Sequence, residues 1–307
     1  NFIMKKRITI LALLLAVVIF GGCAKTQGDA KTTTTDPAAT QLTILTSFYP
    51  MYVATINIAK DIEGVRVVNM TKPQTGCLHD YQMTPQDLIT LEAADIFVMN
   101  GAGMEESLEG IVAMQKNLKI VQASEGIELL KNEAGEDNPH VWLSVSNAIT
   151  QASNISEQLA LIDTANAEQY RENAKTYVAK LEALRTKMHA SLDQLENRDL
   201  VTFHEAFPYF AQEFNLTIAA VIAHEPDEPL KSNELTQVIA VVEKLKVKAL
   251  FAEPQYSSKT AETIAAATGA KIYSLDPGVT GESDAGAYDG YIDIMESNMA
   301  SLMEALG

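Results

Sequence analysis

Cysteine is scarce in this chain, and basic residues are outnumbered. Two cysteines, Cys23 and Cys77, cannot build the framework of bridges on which small exported domains rely. The 23 Lys and Arg stand against 40 Asp and Glu, for a formal net charge of −17. That balance argues against nucleic-acid binding, which needs basic patches. Past the first residues there is no run of apolar residues long enough for a membrane-spanning helix, so the body is expected to be soluble. No His-Glu-x-x-His pair is present: neither His204-Glu205 nor His224-Glu225 is followed by a suitably spaced histidine. Gly101-Ala102-Gly103 lacks the third glycine of a dinucleotide-binding turn, so a nucleotide-dependent enzyme is not expected.

What is present begins with a leader. Lys5, Lys6 and Arg7 precede an apolar run from Ile8 to Phe20, too short to span a bilayer and typical of a secretory signal. Gly21 and Gly22 then precede Cys23, the order of a lipoprotein signal whose cysteine is acylated and becomes the mature N-terminus. An ordinary cleaved signal with an incidental cysteine is the alternative. Loss of residues 1–22, which include Lys5, Lys6 and Arg7 and no acidic residue, takes the charge from −17 to −20. Residues 23–41 contain four consecutive threonines, Thr32 to Thr35, and no aromatics. Such a segment buries too little apolar surface to offset its ordering entropy. It is expected to be a flexible tether of roughly 20–25 Å.

The body alternates β-branched runs with segments of helical patterning. Expected strands are Leu42–Thr46, Val65–Met70, Ile96–Met99 and Lys119–Gln122, then Leu200–Phe203, Thr217–Val221, Ala249–Ala252 and Lys271–Leu275. Pro85–Ala94, Lys231–Lys244 and Ser258–Thr268 read as helices between them. This alternation implies βαβ units and mainly parallel sheets covered on both faces. The fold class is therefore α/β, with two four-stranded lobes over residues 42–160 and 198–307. Between them, over 161–197, Tyr170, Ala174, Tyr177, Leu181, Leu184, Met188, Leu192 and Leu195 recur every three or four positions. That is one apolar stripe on a long helix. A coiled-coil dimer seam is the alternative, but the flanking charge pairing is not evident. A monomer with a rigid linking helix is expected.

The strand ends carry the chemistry, because ligands in open α/β sheets bind beyond the carboxyl ends of strands. His79 follows the second strand, His140 the fourth and His204 the fifth, while Asp276 follows the eighth. Three imidazoles and a carboxylate form a tetrahedral nitrogen–oxygen set suited to zinc. A fourth position filled by Asp276 leaves no room for an activated water, which again argues against a hydrolase. Glu253, after the seventh strand, reads as a fifth ligand, a cap or a partner to a ligating histidine, and His224, after the sixth, also lies at the cleft; for both, bracing the second N–H of a ligating histidine is the preferred expectation. Cys77 lies two residues before His79. It could coordinate a soft metal, but it reads first as a small buried or strained-loop residue, since an exposed free thiolate oxidises readily outside the cell. His189, beside the long apolar stripe, is assigned no role.

Several segments resemble those of a known family. Gly76, His79, Tyr81, Pro85 and Asp87 match one motif, and Asn138-Pro139-His140-Val141-Trp142 matches a second. Phe203 to Phe207 and Leu275-Asp276-Pro277 match two more. Together they resemble the metal-binding lipoproteins of ABC importers for zinc and manganese, from Leu42 to the C-terminus and in the leader. The resemblance implies two lobes joined by one long helix, with the metal held between them by His79, His140, His204 and Asp276. It also implies a binding protein, not an enzyme, anchored by lipid on the outer face of the cell membrane and delivering metal to a membrane permease. Manganese-type relatives carry glutamate where this chain has His204, so Zn²⁺ is expected. The long His- and acid-rich loop of many zinc binders is missing, which keeps Mn²⁺ or iron as alternatives. An adhesin with a structural metal is a further one.

Overall fold

The computed structural model describes residues 41–307 apart from 74–75, 79–80, 133 and 223–229. The leader, Cys23 and the tether, together with His79 and His224, lie outside the described residues. Among the described residues no helix is long and apolar enough to cross a membrane.

Two parallel sheets form the frame. The first contains β1 (Leu42–Thr46), β2 (Val65–Asn69), β3 (Ile96–Met99) and β4 (Lys119–Gln122), in the order β2-β1-β3-β4. The second contains β5 (Asp199–Thr202), β6 (Thr217–Val221), β7 (Ala249–Ala252) and β8 (Lys271–Ser274), in the matching order β6-β5-β7-β8. The inner strands β1 and β3 are buried almost throughout, whereas β2 and β4 are partly exposed. Continuous apolar runs such as Ile96-Phe97-Val98-Met99 are what a parallel strand covered on both faces requires. In β7 the faces separate with period two. Leu250 joins a small cluster with Val201, Ile222, Val242 and Ile264, while Phe251 joins the main core.

The helices are α1 (Tyr49–Ile58), α2 (Pro85–Glu92), α3 (Glu109–Val112), α4 (Val145–Ile162), α5 (Ala167–Leu192), α6 (Pro208–Glu213), α7 (Ser232–Leu245), α8 (Lys259–Thr268) and α9 (Gly290–Leu306). Helix α5 buries the expected stripe, Tyr170 through Leu192, against α4, α1 and α9. At 26 residues it runs about 39 Å. Fully burying a residue such as Leu181 contributes about 1.5–3 kcal/mol over leaving it exposed. The helix starts at Ala167, inside the expected 161–197. The Asp163 carboxylate accepts from Asn166 Nδ2 at 2.8 Å and from the Tyr170 hydroxyl at 2.9 Å. These bonds fix Thr164–Asn166 as a single 3₁₀ turn that joins α4 to α5.

Both lobes share one hydrophobic core, from Ile44 and Phe97 through Trp142 and the α5 stripe to Leu275 and Leu302. Polar bonds tie its halves together. The buried indole N–H of Trp142 donates to Pro277 O at 2.8 Å, and the Tyr291 hydroxyl donates to Trp142 O at 2.8 Å. From α1, Asn57 Nδ2 donates to Tyr288 O at 2.9 Å. The carboxyl ends of the two sheets are thereby held toward each other.

Candidate metal centre

His140 is delivered by a loop held by hydrogen bonds from both lobes. Asn138 Oδ1 accepts from the His140 backbone N–H at 3.0 Å and lies 3.0 Å from His140 Nδ1. An amide oxygen only accepts, so Nδ1 carries the proton and Nε2 carries the lone pair. Asn138 is in turn fixed from the second lobe. Its Nδ2 donates to Glu205 O at 2.9 Å, and its carbonyl accepts from the Tyr209 hydroxyl at 2.8 Å. The motif Asn-Pro-His-Val-Trp therefore has a local logic: Asn sets the imidazole and Trp142 pins the loop to the opposite lobe.

His204 stands at the carboxyl end of β5, and Glu253 stands at that of its neighbour β7. These strands flank the point where the strand order reverses, the usual ligand crevice of such a sheet. Glu253 Oε1 lies 3.3 Å from His204 Nδ1, and Glu253 Oε2 accepts from Gln255 Nε2 at 3.0 Å. Both side chains are buried. A carboxylate close to Nδ1 raises the basicity of a ligating imidazole. The rings of His140 and His204 meet edge to face, with centroids 4.9 Å apart.

Cys77 completes the cluster. Its Sγ is 3.2 Å from His140 Nε2, and one ligand atom from each of Cys77, His140 and His204 lies within 4.8 Å of the other two. Asp276 is not a member of this group among the described residues. It sits at the end of β8 with its backbone gripped by Asn298 of α9, which accepts from Asp276 N at 2.7 Å and donates to Asp276 O at 2.8 Å. Its Oδ1 accepts from Gly278 N at 2.8 Å, so the residue also shapes the turn. Burial raises the Asp276 carboxyl above its usual range and the charge of Glu253 raises it further, opposed by the Gly278 N–H.

The matching crevice of the first sheet, between β1 and β3, is filled by a residue the sequence did not single out. Glu105 is 1% exposed. Its Oε1 accepts from Ser47 Oγ and from Asn100 N, each at 2.7 Å, and its Oε2 accepts from Gly101 N at 3.0 Å. Gly101, Ala102 and Gly103 all have positive φ, and this reverse coil aims the two amides at the carboxyl group. Asn100 Nδ2 then donates to Pro139 O at 3.0 Å, next to His140. The glycine-flanked run that fails as a nucleotide loop was the available signal for this network.

Other motif residues prove local in effect. Thr84 caps α2 in a reciprocal capping box with Asp87, and Tyr81 donates to Asp87 Oδ2 at 2.7 Å. Burial pushes the Asp87 carboxyl up, but hydrogen bonds from Tyr81 and Thr84 outweigh it and hold the group below its usual range. His189 pairs with Asp193 at 3.1 Å and packs on Phe214, away from the cluster.

A family model described as the periplasmic zinc-uptake complex component A matches residues 44–305. The high-affinity zinc uptake system protein ZnuA of Bacillus subtilis is 32% identical, over 97% of this chain and 96% of its own. The manganese ABC transporter substrate-binding lipoprotein PsaA of Streptococcus mitis is 25% identical, over 99% of each chain. Among solved structures, the Zn(II)-bound ZnuA-like domain of Streptococcus pneumoniae AdcA superposes with a TM-score of 0.76 at 28% identity, covering 87% of this chain and 99% of the domain. With a family model matched over residues 44–305, two parallel sheets and the long α5, the chain belongs to the family of the zinc-uptake complex component A.

Proposed function

We propose that this protein captures a divalent transition metal, zinc before manganese, outside the cell membrane and delivers it to the membrane permease of an ABC importer. In this reading His79, His140, His204 and Asp276 bind the ion, Glu253 and His224 brace ligating imidazoles, and acylated Cys23 holds the body to the membrane. The observation that supports it best is the meeting of His140 and His204, from opposite lobes and 3% and 2% exposed, with ring centroids 4.9 Å apart, Asn138 Oδ1 beside His140 Nδ1 and the Glu253 carboxylate 3.3 Å from His204 Nδ1. Buried imidazoles braced in this way favour Zn²⁺ over the harder, oxygen-seeking Mn²⁺. The relatives support the class of cargo, since their printed names include a zinc uptake protein and a manganese ABC transporter lipoprotein.

The test is metal analysis of protein purified without chelators, followed by competitive titration of Zn²⁺ and Mn²⁺. His140→Ala and His204→Ala should each weaken zinc binding by at least about tenfold, with the apo fold retained by circular dichroism. Wild-type zinc affinity in both variants would overturn the site.

A further inference from the structure

We propose that Cys77 is itself a metal ligand, so that the site binds its ion through sulphur as well as nitrogen and oxygen and selects against manganese. The inference rests on the metal-binding reading of the cluster and adds to it a donor outside the four residues assigned by resemblance.

Geometry is the first support. A zinc with Zn–S near 2.3 Å and Zn–N near 2.0–2.1 Å, with neighbouring donors about 90–110° apart, places the sulphur and a nitrogen about 3.1–3.6 Å apart, and two nitrogens about 2.9–3.3 Å apart. Cys77 Sγ already lies 3.2 Å from His140 Nε2, and the ligand atoms of Cys77, His140 and His204 are mutually within 4.8 Å. Closing onto a shared ion therefore asks for shifts on the order of 1 Å. All three side chains are buried, and the imidazole nitrogen facing the sulphur is the one that Asn138 leaves with its lone pair.

Positioning is the second support. A cysteine used as apolar filler needs only volume, whereas Cys77 is held by a dedicated contact from the other lobe. Its backbone N–H donates to the Tyr256 hydroxyl at 3.0 Å. The preceding Gly76 has no Cβ, and one placed there would sit 2.6 Å from that hydroxyl oxygen. Tyr256 in turn belongs to the turn after β7 that begins at Glu253, with Tyr256 N donating to Glu253 O at 3.3 Å. One turn thus braces the His204 imidazole through Glu253 and sets the Cys77 backbone through Tyr256. The sulphur of the first lobe and the imidazole of the second are indexed to each other.

The coordination step is simple. The Cys77 thiol releases its proton to solvent and the sulphur takes the dication in its place. A thiolate is a soft donor that suits zinc and contributes little to Mn²⁺, which takes carboxylate, carbonyl and water oxygens.

Cobalt(II) provides the readout, because a thiolate bound to it gives a sulphur-to-metal charge-transfer band in the near ultraviolet that imidazole and carboxylate do not. The probe is the full chain carrying Cys23→Ser, in which Cys77 is the sole thiol, loaded anaerobically with one equivalent of Co²⁺. The band should appear in this protein and vanish when Cys77→Ser or Cys77→Ala is added, while the visible bands of bound cobalt remain. The ratio of zinc to manganese affinity should fall by about tenfold or more in Cys77→Ala. No charge-transfer band in the Cys77-containing protein, or one that survives in both variants, overturns the proposal while the histidine site stands. Unchanged cobalt binding in His140→Ala and His204→Ala would instead overturn the metal-site reading beneath it.

Discussion

Glu105 offers a test of which force governs the buried network behind His140. Burial pushes its carboxyl from an ordinary 4.5 up to about 7, against the hydrogen bonds donated by Ser47, Asn100 and Gly101. In the unfolded chain the group loses its proton near its ordinary value, while the folded protein keeps it to about pH 7. Stability from this group is therefore fully present below about pH 4.5, falls by about 1.4 kcal/mol per pH unit through the interval, and is lost above pH 7. The total is about 3 kcal/mol, since the shift spans about 2.5 units. Other groups titrate in the same range, so the quantity to follow is the difference between wild type and Glu105→Gln, whose side chain does not titrate. Urea unfolding of the metal-free proteins from pH 4 to pH 8 gives that difference directly. It should move by about 3 kcal/mol against the wild type as pH rises. A difference that is flat, or that moves in favour of the wild type, would show that the three donors hold Glu105 ionised and that burial does not win.

Two further outcomes follow from the same structure and sequence. Asn138→Ala removes no ligand but frees the His140 ring and exposes the second lobe's carbonyl contact, so zinc affinity should fall by about 10–100-fold by competitive titration with a chelator. An unchanged affinity would mean that Asn138 does not set the imidazole. Cys23→Ser should prevent lipid attachment and release the body from the membrane fraction after a high-salt wash. A variant that stays with the membrane would refute the anchor.

The sequence by itself determined the elements whose pattern is local. Strand positions were legible because apolar runs such as Ile96–Met99 and Ala249–Ala252 are continuous and bounded, and α5 was legible because one face alone is apolar. The carboxyl-end histidines followed from those strands. Helix α1 shows where such reading stops: all ten of its residues are buried, so it carries no polar face to give it a period. Its helical state is decided by the elements packed around it. The start of α5 was set by the Asp163 bonds to Asn166 and Tyr170, not by its stripe. The site's chemistry was decided at long range. Cys77 and His140 stand 63 positions apart and Cys77 and Tyr256 stand 179 apart. No local periodicity encodes that a thiol meets an imidazole lone pair, or that a carboxylate after β7 meets the histidine after β5. The first meeting exists because the two lobes share one core, and the second because β5 and β7 are neighbours in one sheet; only the packed chain fixes those distances.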